Sequence, residues 1–368
     1  MNIVSLLAAT PKPCAVEQFA RRLSEELASS PGRRVCRVAL TGGRRELAGL
    51  WGKLAQADLL LLNLPLVGWK RRLVSPSVAA LMARLRGRNV AVVLHEWGDL
   101  DWRRRLVLTP ILLLATQLLL SAPRVERQIR NGRLSRLLTQ RRRLVPIPPN
   151  LRRPAEIREC EASRRLRELR AAGWTIIGQF GSLYPTKHNM ALLDVAAELK
   201  RRGRDVFTVF VGDFIRGQDT LEEQFQERVK ELELEGSVRV TGFIGDAAEL
   251  FATLDEVQVF VYRFSDGLTS NRSSVLTCLQ TRRPIVVNAP RLEHEFDHHA
   301  VFRAQIQSVR LKLVPTEADA AGMADAVEAV ADAGPGPILD PAKMWEDVVA
   351  TFRDDAREPT STRRTRLT

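Results

Sequence analysis

The stretch VQVFVYRFSDGLTSNRSSVLTCLQTRRPIVV, residues Val257–Val287, contains a strand, a loop, a helix and the start of a second strand. Its two strands, Gln258–Tyr262 and Ile285–Asn288, are mostly apolar, as expected in a parallel sheet covered by helices on both faces. Between them, Asp266-Gly267-Leu268-Thr269 predicts a loop and Ser273–Gln280 a short helix. This unit indicates an α/β fold.

The same alternation of apolar strands and amphipathic helices continues through the whole chain. A length of 368 residues suits two domains, and both halves show the pattern of a doubly wound sheet. We therefore predict two Rossmann-like domains facing each other across a cleft. The other predicted strands are Ile3–Leu7, Arg37–Leu40, Leu59–Leu62, Val90–Leu94, Gln117–Ser121, Thr175–Phe180, Val206–Val211 and Val238–Thr241. The clearest predicted helices are Val16–Ala28, Pro76–Leu85, Asn189–Arg202 and Asp219–Glu235, the last with a capping box of Thr220 and Glu223.

Domain boundaries follow from breaks in this pattern. The proline-rich segment RRRLVPIPPN, residues Arg141–Asn150, closes the first domain, which we place at residues 1–160. The second domain occupies 161–340. A helix within 341–357 is predicted to fold back on the first domain, and the polar, basic tail 358–368 is predicted to be disordered.

The cysteines and the N-terminus indicate a cytoplasmic protein. Four scattered cysteines, Cys14, Cys36, Cys160 and Cys278, show neither metal-ligand spacing nor a disulfide framework, which favours a reducing compartment. The segment Met1–Leu7 lacks the features of a signal peptide and is typical of a first strand. The uncharged stretch Leu106–Pro123 approaches the length of a membrane span. Because proline and polar residues interrupt it, we interpret it as a buried helix leading into a buried strand.

Positive charge is concentrated in the first half. The net charge is +13, and residues 1–150 hold 26 Lys and Arg against 9 Asp and Glu. Such an excess attracts polyanions, here an anionic membrane surface at the inner leaflet, through the clusters Lys70–Arg72, Arg103–Arg105 and Arg141–Arg143. A genomic preference for arginine is the alternative. Nucleic acid is not an expected partner, because aromatic residues make up only 6% and no binding module is recognisable.

Four motifs in the second half carry a family resemblance. They are FGSLYPTKHN (Phe180–Asn189), VFVGD (Val209–Asp213), VRVTGFIGDAAEL (Val238–Leu250) and the opening stretch at Val257–Val287. Together they resemble the C-terminal domain of family 4 retaining glycosyltransferases of the GT-B fold, and the bacterial polysaccharide type in particular. The first domain is similar more loosely, through Pro11–Leu23, Val92–Trp97 and Val145–Leu151.

This resemblance implies a hexosyltransferase that takes a sugar from a nucleoside diphosphate sugar and passes it, with retention, to a glycan or lipid-linked acceptor. Lys187 matches the diphosphate-binding lysine, and Asp266 the acidic residue at the donor sugar; a solvated loop lysine and a plain turn are the alternatives. The family's arginine and second glutamate fall on Ser182 and Ser274, so Arg272 is a candidate for the missing cation. The donor-binding set is Gly181, Ser182, Lys187, Gly242, Phe243, Asp266, Gly267, Leu268, Thr269, Arg272, Ser273 and Ser274.

On the acceptor side, His95 matches a family histidine that touches the transferred sugar, with a structural role as the alternative. His95, Lys187 and Asp266 form the predicted catalytic set, and Thr10, Pro11, Cys14 and Glu96 are predicted to line the cleft. Many family members have a glycine pair after the first strand, whereas this chain has the segment Ala8–Pro13 there, which leaves the acceptor contacts open.

No cofactor or metal is expected, because lysine and helix termini supply the positive charge. The segment HEFDHH, His294–His299, lacks a compact ligand pattern. Two other functions stay open: an epimerase or hydrolase that acts on nucleotide sugars, and an inactive protein that has lost the transferase residues.

Overall fold

The computed structural model describes residues 1–9, 14–44, 46–69, 74–132, 136–138, 140–183, 188–215, 220–334, 336 and 339–352. The chain divides into two compact units. Of the described residues, the first contains Met1–Asn150 and Ala342–Phe352, and the second contains Leu151–Pro341. The first unit therefore ends at Asn150, whereas the sequence placed the boundary after residue 160.

The first unit is built on a parallel sheet of six strands in the order β2-β1-β3-β4-β5-β6. These are β1 (Asn2–Ala8), β2 (Arg34–Leu40), β3 (Leu59–Leu64), β4 (Asn89–Leu94), β5 (Gln117–Leu120) and β6 (Arg141–Leu144). The helices between them are α1 (Ala15–Ser29), α2 (Leu47–Ala55), α3 (Val74–Leu85), α4 (Trp102–Leu114) and α5 (Pro123–Arg130).

The second unit has a parallel sheet in the order β12-β11-β10-β7-β8-β9, in which the strand order reverses between β7 and β10, as in Rossmann folds. Its strands are β7 (Thr175–Phe180), β8 (Val206–Val211), β9 (Val238–Val240), β10 (Val259–Tyr262), β11 (Ile285–Asn288) and β12 (Leu311–Val314). Its helices are α6 (Glu161–Ala171), α7 (Ala191–Arg201), α8 (Leu221–Glu231), α9 (Ala247–Asp255), α10 (Ser273–Leu279), α11 (Ala300–Gln307) and α12 (Ala320–Ala331). The prediction of two Rossmann-like domains is confirmed.

Helix α4 corrects the interpretation of the uncharged stretch. Leu108, Ile111 and Leu112 are buried, but Leu106 is 63% exposed and Leu113 is 46% exposed, so the helix is buried on one face only. Among the described residues, no helix is long and apolar enough to cross a membrane.

The sequence analysis also missed one strand, and one of its local predictions was wrong. Arg141–Leu144 forms strand β6, paired with β5 at the edge of the sheet, where charged side chains are accommodated. Its three consecutive arginines concealed the strand in the sequence. At α8, Thr220 is the N-cap residue, but its side chain makes no capping hydrogen bond.

The last helix, α13 (Pro341–Ala350), completes the core of the first unit. Trp345, Val348 and Val349 are buried in the cluster that contains Ile3 and Phe19, on the side of the sheet covered by α1. The rings of Phe19 and Trp345 lie 5.2 Å apart between centroids. The C-terminal segment therefore supplies one wall of the N-terminal core.

This packing predicts that Trp345→Ala destabilises the first unit by about 3–5 kcal/mol, because removing a buried aromatic leaves a cavity. Hydrogen exchange of peptides from β1 and α1 measures the loss, and peptides of the second unit serve as an internal reference. Lys343→Ala, on the exposed face of the same helix, is the matched control. Unchanged protection of β1 in the Trp345 variant would contradict this role for the helix.

Candidate functional site

The predicted donor residues gather at one edge of the second sheet. Each loop follows the carboxyl end of a strand among β10, β7, β8 and β9, which are neighbours in that order. Loops at a point of strand-order reversal diverge and leave a crevice, the usual ligand site of such sheets. Gly181 and Ser182 follow β7, Gly242 and Phe243 follow β9, and Asp266 to Ser274 follow β10.

The Tyr262 side chain joins the ends of the two strands that flank this crevice. Its hydroxyl donates to the Phe180 carbonyl at 3.2 Å and accepts from the Phe180 N–H at 3.0 Å. It also lies 3.2 Å from the Cys278 sulfur on α10. Burial raises the pKa of the Tyr262 hydroxyl well above its ordinary value, so the donor proton is retained.

Two glycines allow β7 and β8 to end in close contact. Gly212 has a φ of +155°, and a Cβ there would lie 2.4 Å from the Gly181 carbonyl oxygen. Its N–H donates to the Thr241 hydroxyl at 3.1 Å, which connects the loop after β9. A side chain at this position would separate the two strand ends, so glycine is required for their close approach.

The loop after β10 differs from the expectation for its glycine. Gly267 has a φ of +70°, and a Cβ there would lie 1.9 Å from the Ala289 carbonyl oxygen. Its N–H donates to Phe264, and the Leu268 N–H donates to Asn288, so neither donor points to a ligand. Glycine is needed here for packing within the protein. Leu268 and Thr269 are buried, whereas Asp266 is half-buried.

Two residues that the sequence analysis missed hold this loop. Glu295 is fully buried and its carboxylate accepts from the Ser270 N–H at 2.7 Å and the Ser270 hydroxyl at 2.9 Å. The Asn288 amide exchanges two hydrogen bonds with the Phe264 backbone, at 2.8 and 2.9 Å. In the sequence Glu295 stands within HEFDHH, where the adjoining histidines raise only the question of a metal site.

The remaining donor-side predictions fall in different environments. Arg272 places its guanidinium 4.3 Å from the centre of the Phe264 ring, and Ser273 and Ser274 begin α10 beside it. Phe243 is 83% exposed, and Ser182 is exposed. Lys187, Thr10 and Pro11 lie outside the described residues.

His95 is buried in the first unit at the end of β4. Its ring lies 4.9 Å from the ring of Phe19, and its Nε2 lies 3.5 Å from the Asn63 amide oxygen. Burial lowers the pKa of His95 to about 3, so the imidazole is neutral at physiological pH. A neutral ring can donate one hydrogen bond and accept another, but it supplies no charge.

The structure brings two of the predicted acceptor residues to one cavity in the first unit. Cys14 and Glu96 line a space of about 180 Å³ together with the segment Pro65–Val67 and the side chains of Arg104 and Leu108 on α4. The cavity lies at the carboxyl edge between β1 and β3, where the order of the first sheet reverses. Its wall is mainly apolar, with one carboxylate and one guanidinium.

Glu17 is a second buried carboxylate that the sequence did not single out. It lies in the first turn of α1, 2.8 Å from the Arg21 guanidinium, and accepts weakly from the Ala8 N–H at 3.4 Å. Burial raises the pKa of its carboxyl, opposed by Arg21. Arg21 also donates to the Ala8 carbonyl at 3.1 Å, so the pair fixes the end of β1.

The residues of HEFDHH have separate partners. His294 is exposed and lies 3.1 Å from Asp297, whereas Glu295 binds Ser270 and the His299 ring accepts from the Phe302 N–H. Within the described ranges, no group of three or more His, Cys, Asp or Glu side chains is arranged to hold a metal ion.

Solved structures share this architecture. HepE of Anabaena in complex with UDP and glucose aligns over 96% of this chain and 95% of its own, with a TM-score of 0.62 and 15% identity. Sucrose-phosphate synthase of Thermosynechococcus elongatus aligns over 97% and 98%, with a TM-score of 0.60 and 16% identity. The UDP-forming trehalose-phosphate synthase of Burkholderia xenovorans aligns over 96% and 97%, with a TM-score of 0.54 and 11% identity.

This chain has the GT-B fold. The likeness extends over nearly the full length of both partners in each pair, so it includes both Rossmann-like domains. No protein-family model matches the sequence, and no curated protein sequence matches it either. The fold predicted from the four motifs is therefore confirmed.

The burial of His95 predicts its titration. Its imidazole proton resonances should not shift between pH 5 and 8. Because the unfolded chain protonates this residue near pH 6.5 and the folded chain near 3, folding stability falls as pH drops below about 6.5. His95→Gln should remove up to about 1.4 kcal/mol per pH unit of that slope. A His95 resonance that titrates near 6.5 would contradict the buried environment.

The Glu295 hydrogen bonds predict that removing this carboxylate loosens the loop after β10. Glu295→Ala leaves the buried Ser270 N–H without its acceptor, which costs about 1–3 kcal/mol in local opening free energy. Hydrogen exchange should therefore accelerate in residues 266–272. Glu293→Ala, an exposed neighbour, is the control, and Glu295→Gln should restore part of the protection. Equal exchange in the wild type and Glu295→Ala would show that the loop is held by other contacts.

Proposed function

We propose that this protein is a retaining glycosyltransferase of the family 4 type, which transfers a hexose from a nucleoside diphosphate sugar to a glycan or lipid-linked acceptor. The observation that carries the proposal is the placement of the motif loops at one edge of the sheet: those after β10 and β7 flank the point of strand-order reversal, and those after β8 and β9 follow beside them. The GT-B fold supports it, because HepE has been solved with UDP and with UDP-glucose. Uridine nucleotides are therefore the first ligands to test.

The donor contacts follow from the placement of these loops. Lys187, in the motif Phe180–Asn189 that follows β7, is proposed to bind the diphosphate, whose developing charge needs a cation as the glycosidic bond breaks. Asp266, half-buried after β10, is proposed to bind the sugar hydroxyls, and Arg272 and Ser274 the nucleotide. The proposed reaction uses these groups and needs no metal.

The acceptor is proposed to enter the cavity of the first unit. Its apolar wall suits the hydrophobic part of an acceptor, while Glu96 and Arg104 offer polar contacts at the rim. His95 is neutral and lies at the end of β4, next to Glu96. It is proposed to hydrogen-bond the transferred sugar. It is not proposed as a base, since its low pKa makes it a weak proton acceptor.

In the proposed reaction the bond from the anomeric carbon to the departing phosphate oxygen breaks while the acceptor oxygen bonds on the same face. The acceptor proton passes to the departing phosphate oxygen, so no side chain is required as a base. The product therefore keeps the donor's anomeric configuration. The positions of Ser182 and Ser274, where the family has an arginine and a glutamate, favour one competing outcome: a protein that binds the nucleotide without transfer.

The experiment that tests the function screens UDP, UDP-glucose and other nucleoside diphosphate sugars by thermal unfolding. A ligand at 100 times its dissociation constant stabilises the protein by about 2.7 kcal/mol, which is readily detected. Active donors are then incubated with candidate glycans, and NMR of the first product gives its configuration. No stabilisation by any nucleotide would overturn the proposal, and an inverted linkage would overturn its retaining mechanism.

Substitution of the two central donor residues should separate binding from transfer. Lys187→Ala should lower kcat by at least about 10²-fold, the usual effect of removing a donor that stabilises transition-state charge. Asp266→Asn should abolish transfer with the fold intact. Lys230→Ala, an exposed lysine on α8, is the matched control and should keep full activity. Wild-type turnover in both site variants would locate the site elsewhere.

A further inference from the structure

Three neighbouring helices of the first unit expose large apolar side chains. In the first unit α2 packs beside α3, and α3 beside α4. Their inner faces join one core cluster, so all three cover the same side of the sheet. Their outer faces carry exposed Leu and Trp side chains: Trp51 at 49%, Leu81 at 44%, Leu85 at 74%, Trp102 at 64%, Leu106 at 63% and Leu113 at 46%. Isolated exposed apolar residues are ordinary, but a group on adjacent helices indicates a binding surface.

The charges on these helices have one sign. Helices α2, α3 and α4 contain Lys53, Arg84 and the run Arg103–Arg105, and their sequences contain no Asp or Glu. The acidic Asp101 lies just before α4 and pairs with Arg104. Arginines also cover the exposed indole rings: the Arg86 guanidinium lies 3.7 Å from the Trp51 ring centre, and that of Arg103 lies 5.4 Å from the Trp102 ring centre.

We infer that the outer faces of α2, α3 and α4 bind the surface of an anionic lipid bilayer. Tryptophan and leucine enter the interfacial layer, and the basic side chains meet the lipid phosphates. The chemistry recognised is an acidic phospholipid headgroup over acyl chains. This inference does not depend on the proposed function, since it concerns the first unit alone.

Other occupants fit this surface less well. A second copy of the chain would bring arginines against arginines, because a symmetric interface uses the same patch twice and these helices have no carboxylates to pair with them. A nucleic acid would match the charge but would leave exposed Leu85, Leu106 and Leu113 without apolar contact. A bilayer surface satisfies both features.

The sequence analysis assigned the membrane contact to three basic clusters, and the structure places one of them on the outer faces of α2, α3 and α4. Arg103–Arg105 lie on α4 and belong to this face. Arg141–Arg143 form the edge strand β6, where Arg142 donates to the Leu138 carbonyl at 2.7 Å. Lys70–Arg72 lie outside the described residues. The apolar residues, rather than charge alone, define the surface.

The test measures binding of the full chain to vesicles by sedimentation. The protein should bind vesicles that contain phosphatidylglycerol, be released at high salt because screening shortens the range of charge interactions, and ignore pure phosphatidylcholine. Brominated acyl chains should quench the tryptophan fluorescence of the bound protein, and Trp51→Phe with Trp102→Phe should remove most of that quenching. Equal binding to neutral vesicles, or no binding to either type, would overturn the inference.

Two sets of variants separate charge from insertion. Leu85→Gln with Leu106→Gln should weaken binding by at least about tenfold, because each leucine loses apolar burial. Lys53→Gln, Arg84→Gln and Arg103→Gln should each weaken it by about fivefold. Val309→Gln, an exposed apolar residue of the second unit, is the control and should bind normally. A dimer in sedimentation analysis that the leucine variants abolish would assign the surface to a second copy and overturn the membrane role.

Discussion

The hydroxyl of Tyr262 is the contact on which the candidate donor site depends. Among the described residues, it is the only side-chain group of β10 that both donates to and accepts from the backbone at the end of β7. Those two strands lie side by side where the order of the sheet reverses, and the loops that carry Ser182 and Asp266 leave from them in different directions. With the strand ends fixed at hydrogen-bond distance, the width of the crevice is set by the backbone. A mobile strand pair would leave no constant geometry for a ligand.

The candidate binding edges of the two units are built from different kinds of residues. In the second unit, buried polar side chains such as Glu295 and Asn288 hold the loops through the backbone, which leaves few side chains to define the site. In the first unit, the edge is an apolar cavity supported by α4, and the buried groups nearby, His95 and Glu17, are held by ring contacts and an ion pair. Rigid polar loops suit a ligand with a fixed charge, whereas an apolar cavity suits hydrocarbon groups of variable structure.

The architecture was predictable because apolar strands and helical periodicity are local properties of the sequence. The strands that flank Gly181 and Asp266 were located within one residue, and so the motifs were placed on the correct edge. Strand β6 was missed because Arg141–Arg143 has the composition of a surface loop, and edge pairing depends on a distant partner. The exposure of Leu106 and Leu113 depends on which neighbours cover α4, which a single sequence does not reveal. Glu295 was overlooked for the same reason, since its partner Ser270 is remote in the chain.

The return of α13 to the first unit has a consequence for synthesis on the ribosome. The core beside Phe19 and Ile3 lacks Trp345 until the second unit has been translated, so the domain that begins first is finished last. Domains generally fold as units while the chain emerges. The second unit therefore folds while the first unit still exposes the apolar groove that α13 later fills, and this groove is accessible to chaperones. The order of translation and the order of completion run in opposite directions in this protein.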